Sequence, residues 1–73
     1  MSILDSLYNE LTRKAQRANK DITREIVEDW VRDVGDESQQ VAFISMVLSE
    51  LLSGRVTPEQ MVGNMLQLAR MDN

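Results

Sequence analysis

The sequence predicts an all-α protein of four short helices packed as a small bundle, and three observations carry that expectation. No segment sustains the period-two alternation of a half-buried strand. Apolar residues recur instead at three- and four-residue spacing along nearly the whole chain. Start and stop signals then divide the 73 residues into stretches over 2–18, 21–34, 37–53 and 58–70.

The first stretch opens at Ser2, whose hydroxyl can cap the helix, with Asp5 in the dipole-favoured first turn. Ile3, Leu4, Leu7, Tyr8, Leu11, Ala15 and Ala18 fall on one face spanning about 140° at 100° per residue. The second stretch, DITREIVEDWVRDVG, has Asp21 or Thr23 as its N-cap and Gly35 as a left-handed C-terminal stop. Ile22, Ile26, Val27, Trp30, Val31 and Val34 form its apolar side, with Trp30 near the middle. Asn19-Lys20-Asp21 contains neither Gly nor Pro, so one continuous helix over both stretches is the competing picture. Carried straight through, however, the apolar centre would jump by roughly 100°. A turn near residues 18–21 is therefore expected.

The third stretch begins with Asp36 and Gln39 at capping-box spacing and stops at Gly54. The fourth carries the strongest local signal, VTPEQM at 56–61. Thr57 is the expected N-cap, Pro58 takes the first helical position, Gln60 closes the box, and Val56 and Met61 stand at staple positions. Met61, Val62, Met65, Leu66, Leu68 and Ala69 then make one apolar side. Gly35 and Gly54 read as helix stops, and Gly63 as a close contact on the fourth helix.

The third helix is unlike the others. VAFISMVLSELL, residues 41–52, is apolar nearly all round, interrupted by Gln39 and Glu50 on one side and by Ser45, Ser49 and Ser53 beside Ala42 on another. Such a helix belongs in a core or an interface. Either it is the central post of a monomer, or part of it is covered by a second copy. The Ala42/Ser45/Ser49/Ser53 strip has two readings, a surface small enough for close helix approach and, favoured over it, a solvent edge. Size favours the second copy: a single domain spanning 1–73 buries only ~60% of its unfolded surface and needs further support. With no cysteine and no histidine, disulfides and the usual zinc frameworks are both absent. A homodimer is the expectation, with Phe43, Ile44, Val47, Leu48, Leu51, Met61 and Met65 as contact residues for self or partner. Met61 and Met65 have a second reading, as core filler.

Charge is segregated. Residues 21–37 hold Asp21, Glu25, Glu28, Asp29, Asp33, Asp36 and Glu37 against Arg24 and Arg32, a net −5 in a chain of net −4. Glu25, Asp29, Asp33, Asp36 and Glu37 form a candidate acidic face; Arg13, Arg17 and Lys20 form a candidate basic patch. An antiparallel hairpin would bring Arg17 near Glu25 and Arg13 near Asp29, while a basic partner surface is the other way to satisfy the acids.

These features order the functional classes. An interaction or regulatory module comes first, of the kind that serves as regulator, adaptor or inhibitor in bacteria or phages. Nucleic-acid association through the basic patch, direct or through a DNA-binding partner, comes second; Glu10 interrupts that patch, and direct contact conflicts with the acidic balance. Catalysis comes last, because the common acid–base residue and the thiol nucleophile are missing and the serines have no histidine to activate them. No metal-binding or Gly-rich phosphate loop is present, so no cofactor is expected. Residues 1–20 carry no signal-peptide pattern, and 41–52 is too short to span a bilayer. A cytoplasmic protein without a membrane partner is the expectation.

Overall fold

The computed structural model describes residues 2–70, with the side chains of 2–68. Among the described residues there are four helices and no strand: α1 (Ile3–Ala15), α2 (Arg24–Arg32), α3 (Glu37–Leu52) and α4 (Pro58–Arg70). Each helix touches the other three, and α1 packs most extensively on α3. The Cα radius of gyration is 11.3 Å, matching the roughly 11 Å expected of a compact chain of this length.

The local signals explain where the helices begin. Ser2 Oγ accepts from Asp5 N–H at 3.2 Å. Asp36 and Gln39 make a reciprocal box: Gln39 N–H donates to Asp36 Oδ1 at 3.0 Å, and Asp36 N–H to Gln39 Oε1 at 2.9 Å. Thr57 and Gln60 repeat it, with Thr57 N–H donating to Gln60 Oε1 at 3.0 Å and Gln60 N–H to Thr57 Oγ1 at 3.2 Å. Each box satisfies two backbone donors that a helix start leaves orphaned. At the end of α3, Gly54 (φ 79°) permits a Schellman turn in which Arg55 N–H donates to Glu50 O and Gly54 N–H to Leu51 O. An Arg55–Glu50 ion pair at 3.4 Å spans the same turn.

The break between α1 and α2 is real and longer than expected. Backbone donation from Arg17 to Lys14 and from Ala18 and Asn19 to Ala15 tightens the chain past Ala15, so residues 16–18 are a turn rather than a last helical turn. Thr23, not Asp21, caps α2, its side chain accepting from Ile26 N–H. Ile22 therefore precedes the helix and is buried as a loop anchor, its carbonyl accepting from Gln16 Nε2 at 2.9 Å. At the other end α2 stops at Arg32, which leaves Val34 exposed.

One core joins the four helices: Tyr8, Leu11 and Ala15 from α1, Ile22, Val27, Trp30 and Val31 from the second stretch, Ile44 from α3, and Met61 and Met65 from α4. Five positions of the expected apolar sides of the first, second and fourth stretches are exposed: Ile3, Ile26, Val34, Leu66 and Leu68. The side chain of Ala69 lies outside the described ones. Gly63 makes no close contact: a methyl group there would meet nothing within 4 Å.

Candidate interaction surface

Arg24 joins α2 to α1, and its partners are not the expected ones. Arg24 donates to Asp5 Oδ1 at 2.6 Å, to Asn9 Oδ1 at 2.9 Å and to Glu28 Oε2 at 3.0 Å, while its guanidinium lies 5.6 Å from the Tyr8 ring centroid. Cation–π attraction adds to the ion pairs in that arrangement. The hydrogen bond from Arg24 holds the Asp5 carboxyl below the usual carboxylate range. Burial pushes the Tyr8 hydroxyl up, and it donates to Gln40 Oε1 at 2.8 Å while Gln40 Nε2 donates to Gly35 O at 2.9 Å. The crevice lined by Leu4, Asp5, Tyr8, Arg24, Glu28, Arg32 and Gln40 is open, with a volume of about 330 Å³, and the hydrogen bonds of Arg24 to Asp5 and Asn9 clasp α1 to α2.

Arg17–Glu25 and Arg13–Asp29 do not form. The long 16–23 turn lets α2 start beside the middle of α1, where Arg24 reaches Asp5 and Asn9, rather than beside its end. Arg13 and Lys14 are both held by Glu10, the Lys14–Glu10 distance being 3.7 Å, and Asp29 pairs with Arg32 on its own helix. The hydrogen bond from Arg13 holds Glu10 below the usual range. All five residues of the acidic face are exposed, as are Arg13, Arg17 and Lys20. Asp36 serves as the α3 cap. Arg17 and Lys20 take part in no ion pair among the described residues.

The question of which side of α3 meets water has a clear answer. Ala42, Ser45, Met46, Ser49, Leu52 and Ser53 are exposed, and they fall within about 120° of the wheel. This face has no charged side chain along four turns, where a surface helix ordinarily carries charges. Met46 is 56% exposed and Leu52 91%. The expected contact residues divide by their exposure in the single chain. Ile44, Met61 and Met65 are enclosed by the single chain, at 0%, 3% and 2% exposure, and have little surface to offer another molecule. Phe43, Val47, Leu48 and Leu51 are half-buried against the core. The small-residue strip of Ala42, Ser45, Ser49 and Ser53, expected as the solvent edge of α3, is exposed, with Met46 and Leu52 at its margins.

Two grooves flank this strip and meet at Val56. One, of about 200 Å³, lies between α3 and α4 and has Phe43, Met46, Val47 and Leu68 on its walls over a floor of Met61 and Met65. The other, of about 390 Å³, is walled by Leu48, Leu51, Leu52, Val56 and Pro58 on one side and by Glu10, Lys14 and Arg17 on the other. The first is mainly apolar, with Glu50 and Asn64 also on its lining; the second pairs an apolar wall with one that carries Glu10 beside Lys14 and Arg17. Among the described residues there is no cluster of acids that could hold a metal ion and no helix long and apolar enough to cross a membrane. Compared with protein-family models, with curated proteins and with solved structures, the chain matches none of them.

Proposed function

We propose that this protein is a small non-catalytic interaction module, acting as a regulator, adaptor or inhibitor, and that its contact surface is the outward face of α3 with the α3–α4 groove beside it. The observation that carries the reading is an uncharged exposed strip, Ala42, Ser45, Met46, Ser49 and Leu52, with two large apolar side chains open to solvent. Isolated exposed apolar residues need no explanation, but contiguous ones bordering apolar grooves mark contact surfaces. Small residues at 42, 45 and 49 let a second helix approach closely, and a strip without charge meets a copy of itself without repulsion. A homodimer joined through α3 is the first assembly this favours.

Nucleic-acid association through α1 is the weaker reading, because Glu10 engages Arg13 and Lys14 and, among the described residues, leaves Arg17 and Lys20 as the unpaired cations of that region.

Methionine oxidation provides a site-specific test. Met46 is open in the single chain, whereas Met61 and Met65 are enclosed, and sulfoxide formation follows exposure. Peroxide treatment across a dilution series, read by peptide mass spectrometry, should oxidise Met46 readily in dilute protein and slowly in concentrated protein. Equal Met46 oxidation at every concentration, in the presence of cell extract as well as without it, is the result that rejects the surface.

A further inference from the structure

We infer that the groove between α1 and the α3–α4 turn receives the acidic face of α2 from a second copy of this chain, so that opposite charges set the register of the dimer; this rests on the self-association proposed above. The groove offers an apolar wall, with Leu52 at 91% exposure on its lip, facing a wall on which Glu10 holds Lys14 and Arg17 has no acidic partner among the described residues. Its occupant should therefore present an exposed apolar side chain among carboxylates. The outward side of α2 does so: Ile26 is 37% exposed and stands beside the exposed Glu25 and Asp29.

The charges involved are left over from folding. Arg17 and Lys20 have no acidic partner within the described chain, and Glu25, Asp33 and Glu37 have no basic one. The hairpin pairing that would have joined Arg17 to Glu25 is replaced by the Arg24 clasp. Glu25, Asp29 and Asp33 follow one another at four-residue intervals, a like-charge row that is unfavourable in isolation. Arg17, on the groove wall, gives a cation with which such a row can pair between molecules, and Lys20 follows it by three residues in the chain. In a two-fold assembly the contact occurs twice, since the α2 of each copy meets the groove of the other.

Salt separates this arrangement from a purely apolar dimer, because the two respond with opposite sign. Each copy carries a net −4, so a dimer without ion pairs tightens when salt screens the overall repulsion. A dimer held in register by Arg17 and the acidic row loosens instead, since its short-range attraction is what is screened. The experiment is sedimentation equilibrium of the whole chain from about 50 mM to about 500 mM NaCl. It is repeated with Arg17→Glu, with Glu25→Arg, and with the two variants mixed. Circular dichroism checks that these surface changes leave the helices intact. We expect the parent Kd to rise with salt and each variant alone to associate about tenfold more weakly. The equimolar mixture should recover parental affinity, because in the mixed pair each reversed charge meets an opposite one. A dimer that tightens with salt and is indifferent to both substitutions overturns this docking while leaving the α3 interface standing. A monomer under every condition overturns both.

Discussion

At Gly35 a methyl group would stand 1.8 Å from Gln39 Oε1, and the backbone there has φ 152°, so a side chain would strain the turn and displace the oxygen that completes the α3 capping box. Gly35→Ala should therefore cost about 1–3 kcal/mol in urea unfolding. Gly63 faces open space inside α4, and Gly63→Ala should raise stability by about 0.5–1 kcal/mol; a loss there would mean the helix is packed differently. Arg24 and Arg13 make a second contrast. Arg24 bonds across α1 and α2 and lies over Tyr8, whereas Arg13 holds Glu10 within a single helix. Truncating Arg24 to Ala should lower the thermal midpoint clearly more than truncating Arg13. Equal effects would show that the clasp adds nothing beyond surface ion pairs.

The helices themselves were legible because caps are local. Ser2, the Asp36/Gln39 and Thr57/Gln60 boxes, and the Gly54 stop need only neighbouring residues, and each stands where its spacing places it. The α1–α2 connection was less legible. Asp21 and Thr23 are equally good caps in isolation, and Ile22 fits the apolar period of α2 although it is anchored in the turn. On α3 the serine strip marked the solvent edge correctly, but apolar residues on every other side leave the exposure of Met46 and Leu52 to the positions of α1, α2 and α4. Two substitutions on that helix divide its roles. Ile44→Ala, at a position with 0% exposure, should cost about 2–5 kcal/mol. Leu52→Ala, at 91% exposure, should leave folding stability within about 0.5 kcal/mol while weakening self-association. If Leu52→Ala destabilised the chain in dilute solution, the strip would belong to the core.

Over the whole molecule, charge was legible in amount but not in pairing. The segregation between residues 1–20 and 21–37 is plain in the sequence, yet which arginine meets which acid depends on how far the 16–23 turn shifts α2 along α1. The consequence is a pH dependence with a definite sign. Asp5 and Glu10 have carboxyls held below their ordinary values, by hydrogen bonds from Arg24 and Arg13 respectively. The unfolded chain thus binds more protons in that range, and the stability from these groups, full above the ordinary carboxylate values, is lost as pH falls through the lowered ones. Urea midpoints followed from about pH 5 to about pH 2 should decline, and less steeply in Asp5→Asn than in the parent. The central claim, that α3 exposes apolar surface which a second copy covers, is tested most directly by light scattering across a dilution series at neutral pH. The account predicts a mass near twice 8.4 kDa in concentrated solution, falling towards the single-chain value on dilution. A constant 8.4 kDa from the most dilute to the most concentrated sample would contradict it.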